Sequence, residues 1–510
     1  MEGDEESASA AKRSRTEKTS SNANPDPSGK RAYDLPILTR MRPPSQAKNA
    51  DDKYIVPGLL AQTGTLDSKI VGRTKRTLNQ EFDLQEPTIL CNESIFGGQK
   101  VAFVATSSSA VHSIVITENG DAYTWGRNEA GQCGLSNGST SSCVPLPVKI
   151  GLEGKFVGAA LGKAHSILIE EGGTAYAVGN NKYGQCGVNT SVEAILSWRK
   201  CSVVGKASEA KIVQAACGEN FSVLLDSDGF MYSAGLAEFG QLGNGETGEY
   251  FIAANKIGFA NDSKFERRSV FVWKSDDYED AKKPCGPLPD SDDVRIGSIA
   301  CGKNHTIAVE APLRKSSTAT NEPQRVFSWG CGGYGVLGHG VQKDEYTPRL
   351  LNPLTGPIFK SNSPVRVAAG THCSMALTEN GHVYYCGKHR SVGEATMRPA
   401  LVDVLANNMH VVTAFDGGGM TVFCSTQNGV TVSWGNGQMG ELGYGINNPK
   451  SSSKPKFVEK LDSVIICDVS CGYGHTLMII CDEDEEDKKA IKKVSRIETD
   501  DLKALVKKCS

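Results

Sequence analysis

The sequence predicts an all-β fold, a seven-bladed β-propeller whose ring is closed by an N-terminal strand, flanked by disordered tails. Three observations predict it. A phrase recurs as Trp125-Gly126 with Gly131-Gln132-Cys133-Gly134, then Gly179 with Gly184-Gln185-Cys186-Gly187, then Gly235 with Gly240-Gln241-Leu242-Gly243. It returns as Trp329-Gly330 with Gly335-Val336-Leu337-Gly338, and as Trp434-Gly435 with Gly440-Glu441-Leu442-Gly443. Self-similarity at fixed spacing is the signature of a repeat architecture. A second phrase leads into the first, clearest at Gly162-Lys163-Ala164-His165, Gly302-Lys303-Asn304-His305 and Gly472-Tyr473-Gly474-His475, and weaker around His112, Phe221, Cys373 and Met420. Between the phrases, apolar runs such as Ser166-Ile167-Leu168-Ile169 alternate with Glu118-Asn119-Gly120 or Ser227-Asp228-Gly229. Asn-Gly and Asp-Gly between such runs signal hairpins, because both residues tolerate positive φ.

The elements follow in order. Residues 1–54 are read as a disordered basic arm, rich in Ser, Asn and Pro, with Lys12, Arg13, Arg15, Lys30 and Arg31 among its cations. Such a segment cannot bury a core. Two readings stand, a solvated tail or an arm for nuclear import or for a polyanion such as DNA or the microtubule surface. The propeller is placed at 55–481. Its hairpins end at Gly126, Gly179, Gly235, Gly330, Gly387 and Gly435, one fewer than the leading phrases. Gly58–Gly64 is the available partner for Thr476–Ile480, so chain from both ends completes the last blade, and radial closure leaves only short edges. The repeat tryptophans Trp125, Trp329 and Trp434 are read as packing between blades. The repeat histidines His112, His165 and His305 are read as loop pins that hydrogen-bond backbone groups.

The interval from Gly235 to Gly330 is much the longest between these glycines, and the excess is placed at 258–297 and 311–324. In the first insertion Arg267 and Arg268 precede an alternating run to Trp273, and Asp276 and Asp277 follow. That pattern reads as a projecting hairpin or extra edge strand that binds a partner, since scaffold loops are where binding residues tend to lie. Asp344 and Glu345, after Gly338, form a second candidate patch on an exposed loop. Residues 482–510 read as an acidic, then Lys-rich tail in which Ile491, Val494, Ile497, Leu502, Leu505 and Val506 fit a short amphipathic helix.

Composition excludes some classes. The formal charge is −3, and there are 16 cysteines behind an acidic start with no signal-like segment. Reduced thiols in the cytosol or nucleus are therefore expected. No apolar run suits a membrane span. No metal-ligand cluster, paired carboxylates or nucleophile motif stands out, so no metal, no cofactor and no small-molecule substrate are expected.

These repeats resemble the regulator-of-chromosome-condensation repeat family, with its Gly-x-x-His-[Ser/Thr] and Gly-x4-Gly-Gln-Leu-Gly phrases. Phe265–Val272, Val326–Gly335, Gln342–Glu345 and Gly440–Gly445 followed by Pro449-Lys450-Ser451-Ser452 resemble its telophase-disc branch. The resemblance implies a mitotic and cytoskeletal regulator that binds small GTPases of the Rac, Ral or Arf type, possible guanine-nucleotide exchange, and association with chromatin or the centromere and with microtubules. It implies residence in the nucleus and cytoplasm, and on chromosomes and the spindle midzone in mitosis. A non-catalytic scaffold is the alternative. Exchange on Ran in this family relies on an inserted wedge and on acidic and histidine residues in the Gly-x-x-His loops. Here the hairpin ending at Gly179 carries no wedge, Lys163 and Asn220 stand at the acidic positions, and His475 and His372 fall at or beside the histidine positions. Ran exchange is disfavoured on that account.

Overall fold

The computed structural model describes Tyr33, residues 56–66, 83–90, 95–135, 141–188, 192–201, 203, 211–245, 294–312, 322–388 and 393–509, and the backbone of 251–253, 256–258 and 266–268. Seven sheets, each built on four antiparallel strands, are arranged as the blades of a propeller, with one further two-stranded hairpin. Blade two shows the common plan: Phe156–Leu161, His165–Glu170, Ala175–Asn180 and Ala194–Lys200, from the channel outwards. The second strand is buried on both faces except at its last residue, because a neighbouring blade covers each side. The outer strand is largely exposed. Apolar content fades outwards for that reason. In every complete blade the loop between first and second strands lies on the same face as the loop between third and fourth. The tight hairpin between second and third strands lies on the opposite face.

The glycine that ends each third strand is required by space as well as by conformation. At Gly126, φ is 109°, and a Cβ would sit 2.5 Å from the His112 Cα and from the Val111 carbonyl oxygen. A positive φ is costly for residues with a side chain.

Ring closure uses both ends of the chain. Ile466–Cys471 and His475–Ile480 supply the inner half of blade seven, while Leu59–Thr65 and Asp83–Leu90 supply the outer half. Gly64 pairs with His475 in the register that joins Gly126 to His112. Gly64 is the seventh copy of the hairpin-ending glycine. Its φ is 91°, and a Cβ there would lie 2.6 Å from the His475 Cα.

The segment after Cys481 differs from the expected tail. Asp484 caps a helix over Glu485–Ala490 through a capping box, in which its side chain accepts from Glu486 and Asp487 N–H groups. Ile491 and Val494 then join the core of blade seven. Ser495–Ile497 adds a parallel strand beside Thr88–Leu90, and Leu502 of the helix Thr499–Cys509 is buried. The apolar spacing in this Lys-rich stretch therefore covers the outer edge of the closing blade, an edge otherwise open to pairing.

The first insertion also differs. Glu266–Arg268 pairs with Met231–Gly235 as the outer strand of blade three, with Tyr232 opposite Arg267 and Met231 opposite Arg268. Arg267 and Arg268 thus complete a blade and do not extend it. Phe251–Ala253 and Lys256–Gly258 form the separate hairpin. Trp273, Asp276 and Asp277 lie outside the described residues, as do Lys12, Arg13, Arg15, Lys30 and Arg31.

Candidate functional site: the histidine-loop face

The Gly-x-x-His loops form a collar around one end of the channel. Backbone hydrogen bonds stitch five of its seven seams: Lys163 N–H to the Glu219 carbonyl (3.1 Å), Glu219 to Lys303 (2.8 Å), Thr371 to Gly418 (3.0 Å), Gly419 to Gly472 (3.0 Å) and Tyr473 to Ala110 (3.1 Å). The loop glycines allow it. A Cβ on Gly162 would lie 2.0 Å from the His165 ring and 2.7 Å from the Gly218 carbonyl oxygen, and Gly302 is as crowded by His305 and Gly370. Across the channel mouth the Thr371 hydroxyl donates to the Ser108 carbonyl at 3.1 Å.

The histidines do something more specific than pin backbone. His112 Nε2 meets Ser166 Oγ of the next blade at 2.8 Å, His165 meets Ser222 at 2.8 Å, His305 meets Ser374 at 2.9 Å, and His475 meets Ser113 at 2.9 Å. Ser166 and Ser222 spend their single proton on the carbonyls of Gln132 and Gln185, each at 2.8 Å. A hydroxyl has one proton to give. Nε2 of His112 and His165 is therefore the donor, and the ring is the neutral Nε2–H tautomer. Desolvation favours the same state, lowering the pKa of His112 and His165 to about 3 and of His305 and His475 to about 4. His475, an exchange candidate from the sequence, is thus a buried interblade tie at the closure seam.

Exposed chemistry on this face comes from the intervening positions of these loops and from the neighbouring loops between third and fourth strands. Glu219 accepts Lys163 Nζ at 2.5 Å and lies 3.4 Å from Lys303 Nζ, so the carboxylate on this face sits between two lysines. Asn220, beside it, holds the position where the family resemblance expects an acid. His372, the other exchange candidate, is half-buried and packs with its ring centroid 4.6 Å from that of Tyr334, the planes tilted by 52°, and the Tyr334 ring also faces Lys388 Nζ at 5.5 Å. Burial, together with the charges of Lys303 and Lys388, lowers the His372 pKa. Tyr334 is 46 % exposed and adopts a left-handed φ of 61°. Such a conformation costs roughly 1 kcal/mol for a residue with a side chain. It persists because Gly332 N–H donates to Asp344 Oδ1 at 2.8 Å and Tyr334 N–H to Gln342 Oε1 at 3.2 Å. Sequence reasoning passed over Tyr334 and Lys388. The available signal was an aromatic residue between Gly333 and Gly335, where only a loop is expected.

The second candidate patch needs correction. Asp344 is spent on the Gly332 N–H, and Glu345 is buried, paired with Arg349 at 2.7 Å with both side chains only 2 % exposed. Glu345 begins the outer strand of blade four, where its side chain turns inward to meet Arg349. Among the repeat tryptophans, Trp329 donates from Nε1 to the Gln241 carbonyl of blade three at 3.0 Å, and Trp434 meets Tyr385 of blade five edge-on. Among the described residues no group of His, Cys, Asp and Glu is placed to hold a metal, and no helix is long and apolar enough to cross a membrane.

Residues 62–483 match the family described as the RCC1-like domain. The chain is 34% identical to "Protein RCC2 homolog" of Danio rerio over 396 residues, covering 78% of this chain and 74% of that one. Against "Protein RCC2" of Homo sapiens the identity is 34% over 399 residues, covering 78% and 70%. Among solved structures, Prp20p of Saccharomyces cerevisiae, described together with its binding to Gsp1p and histones, aligns with TM-score 0.61 and 19% identity over 85% of this chain and 94% of that one. Human WBSCR16 aligns with TM-score 0.62 and 20% identity over 83% of this chain and 100% of that one. At those identities the structures speak to the fold alone.

Proposed function

Because the chain belongs to the RCC1-like domain family, we propose that it is a mitotic and cytoskeletal regulator whose histidine-loop face binds a small GTPase of the Rac, Ral or Arf type. The observation that carries this reading is the collar itself. It is a ring of loops, stitched across blades, that presents Lys163, Lys303 and His372 around the channel mouth, with Tyr334 and Lys388 beside His372 on the adjoining loops. Exposed aromatic and cationic residues on a preorganised surface suit protein recognition more than small-molecule chemistry. Exchange on such a surface works by preferring the nucleotide-free partner, which needs no covalent chemistry. Exchange on Ran remains disfavoured, because Lys163 and Asn220 hold the acidic positions and Ala175–Asn180 runs without a wedge into Gly184. The basic arm is proposed to reach chromatin, the centromere or microtubules, with the chain shared between nucleus and cytoplasm and drawn to chromosomes and the spindle midzone in mitosis. The reported pairing of Prp20p with Gsp1p and histones supports the two partner classes.

The test is fluorescent-nucleotide release from Ran, Rac, Ral and Arf GTPases with the full chain and with the Tyr334→Ala/His372→Ala/Lys388→Ala variant. Acceleration on one GTPase, lost in the variant, is the expected result for an exchange factor. Binding without acceleration, lost in the variant, makes the same face a scaffold. Binding that survives the variant sinks the assignment of this face.

A further inference from the structure

We infer that the base of the blade-four hairpin is a built seat for the chain's own N-terminal arm, with Tyr33 as its anchor. The hairpin between the second and third strands of blade four begins at Glu310 and returns at Val326, spanning the 311–324 insertion. At its base the Glu310 carboxylate, fully buried, accepts Arg325 Nε at 3.1 Å, Arg325 Nη2 at 2.7 Å and the Arg325 backbone N–H at 3.0 Å. Gln324 Nε2 donates to the Glu310 carbonyl at 3.1 Å. Into this knot comes Tyr33, from far up the chain, 7 % exposed, with its hydroxyl 2.6 Å from Glu310 Oε1.

The other blades show why the seat exists. The last residue of the second strand is Glu170 in blade two and Asp226 in blade three, and each receives a tyrosine hydroxyl from its own third strand. Tyr176 reaches Glu170 at 3.3 Å, and Tyr232 reaches Asp226 at 2.7 Å. Those tyrosines pair with Leu168 and Leu224. In blade four the same register pairs Ala308 with Phe327. Phe327 fills the position with an apolar ring and offers no hydroxyl. Tyr33 supplies to Glu310 the phenol that blade four lacks.

The seat also fixes where the arm leaves the propeller. It lies on the hairpin face, opposite the histidine-loop collar. The seat itself does not depend on which partner the collar takes.

Lys30 and Arg31 are trypsin sites immediately beside the anchor, so limited trypsin digestion of the full chain reads the seat directly. Cleavage after Arg31 is expected to be slow in the native protein. Tyr33→Phe keeps the ring and loses the hydrogen bond to a charged acceptor, and is expected to speed that cleavage roughly tenfold. Tyr33→Ala speeds it further, while cleavage at Lys12–Arg15 stays unchanged in all. Phe327→Tyr restores the blade's own phenol, a residue tolerated at this position in blades two and three, and is expected to displace Tyr33 and release the arm. Equal cleavage after Arg31 in the native chain and in both Tyr33 variants overturns the proposal. So does a folded Phe327→Tyr protein whose arm stays protected.

Discussion

Replacing Glu441 by Gln should stabilise the protein above neutral pH and leave it unchanged in acid. Three copies of the Gly-Gln-x-Gly phrase use the glutamine in one way: Oε1 of Gln132, Gln185 and Gln241 accepts the N–H of Ala130, Tyr183 and Phe239 at 2.9, 2.9 and 2.8 Å. Glu441 does the same for Met439 at 2.7 Å, yet carries a titratable carboxyl, 6 % exposed, at the seam between blades six and seven. Burial first, with the like charge of Asp83, raises its pKa from 4.5 to about 7, against relief from backbone N–H groups and Lys450. At about 1.4 kcal/mol per pH unit that rise is worth about 3 kcal/mol. The folded carboxyl holds its proton between pH 4.5 and about 7, where the unfolded one has lost it. Stability is therefore full below 4.5, falls as pH rises through that window, and is flat above it. Glu441→Gln removes the titration and keeps the acceptor. Urea denaturation followed by tryptophan fluorescence should show a gain of about 2–3 kcal/mol at pH 8 that shrinks to nearly nothing at pH 4.5. A gain of equal size at both pH values, or a loss at pH 8, refutes the reasoning.

Two further perturbations test the assignments above. Glu345→Ala strands the Arg349 guanidinium in the interior, and should cost about 3–5 kcal/mol, most of it recovered in Glu345→Leu/Arg349→Met. A stable Glu345→Ala protein with weakened partner binding would restore Glu345 to a binding patch. His475→Ala leaves Ser113 without its ring partner and opens a cavity at the closure seam, so a loss of about 2–3 kcal/mol is expected, with coupling to Ser113→Ala in a double-mutant cycle. Unchanged stability with lost nucleotide release would mark His475 as an exchange residue instead. The histidine ties also set an acid limit: four folded pKa values lie at about 3–4 against 6.5 in the unfolded chain, so stability is lost as pH falls below 6.5. That slope runs opposite to the Glu441 effect, which is why the variant is compared with the native chain at each pH.

The blade count and the ring closure were legible because both are backbone requirements. A positive-φ glycine and a turn dipeptide are written in the sequence wherever the chain must reverse, and Gly64 could be recognised as the partner strand's end before its pairing with His475 was seen. The outer strand of blade three was not legible as such. Glu266–Arg268 is short, follows a long interruption and is the outermost strand of its blade, and no apolar alternation marks it. Glu345 was misplaced for a related reason. Its charge suggested exposure, and its partner Arg349 four residues on is a spacing that reads as helical surface in isolation, whereas here both side chains are buried at a blade edge. The docked C-terminal segment carried its signal in Ile491, Val494 and Leu502, but the surrounding lysines weighed against a covered position. Long lysine stems can cover apolar surface with the charge still in water.

The collar explains why binding residues should be sought in its intervening positions and not in its repeated ones. Much of the repeated polar chemistry on this face is already committed: Nε2 of His112, His165, His305 and His475 to the next blade's hydroxyls, two of those hydroxyls to the Gln132 and Gln185 carbonyls, and five loop amides to a neighbouring loop. A group fully used in tying blades together is expensive to redirect towards a partner, since breaking it strands a buried donor or acceptor. The Tyr334 ring and the Lys388 ammonium take no part in that stitching, whereas Lys163 and Lys303 are linked across loops through Glu219. Substituting Tyr334 or Lys388 is therefore expected to change the surface more than the ring. This separation is what lets one closed scaffold hold a varied face, and it predicts that partner choice and stability respond to different residues of the same face.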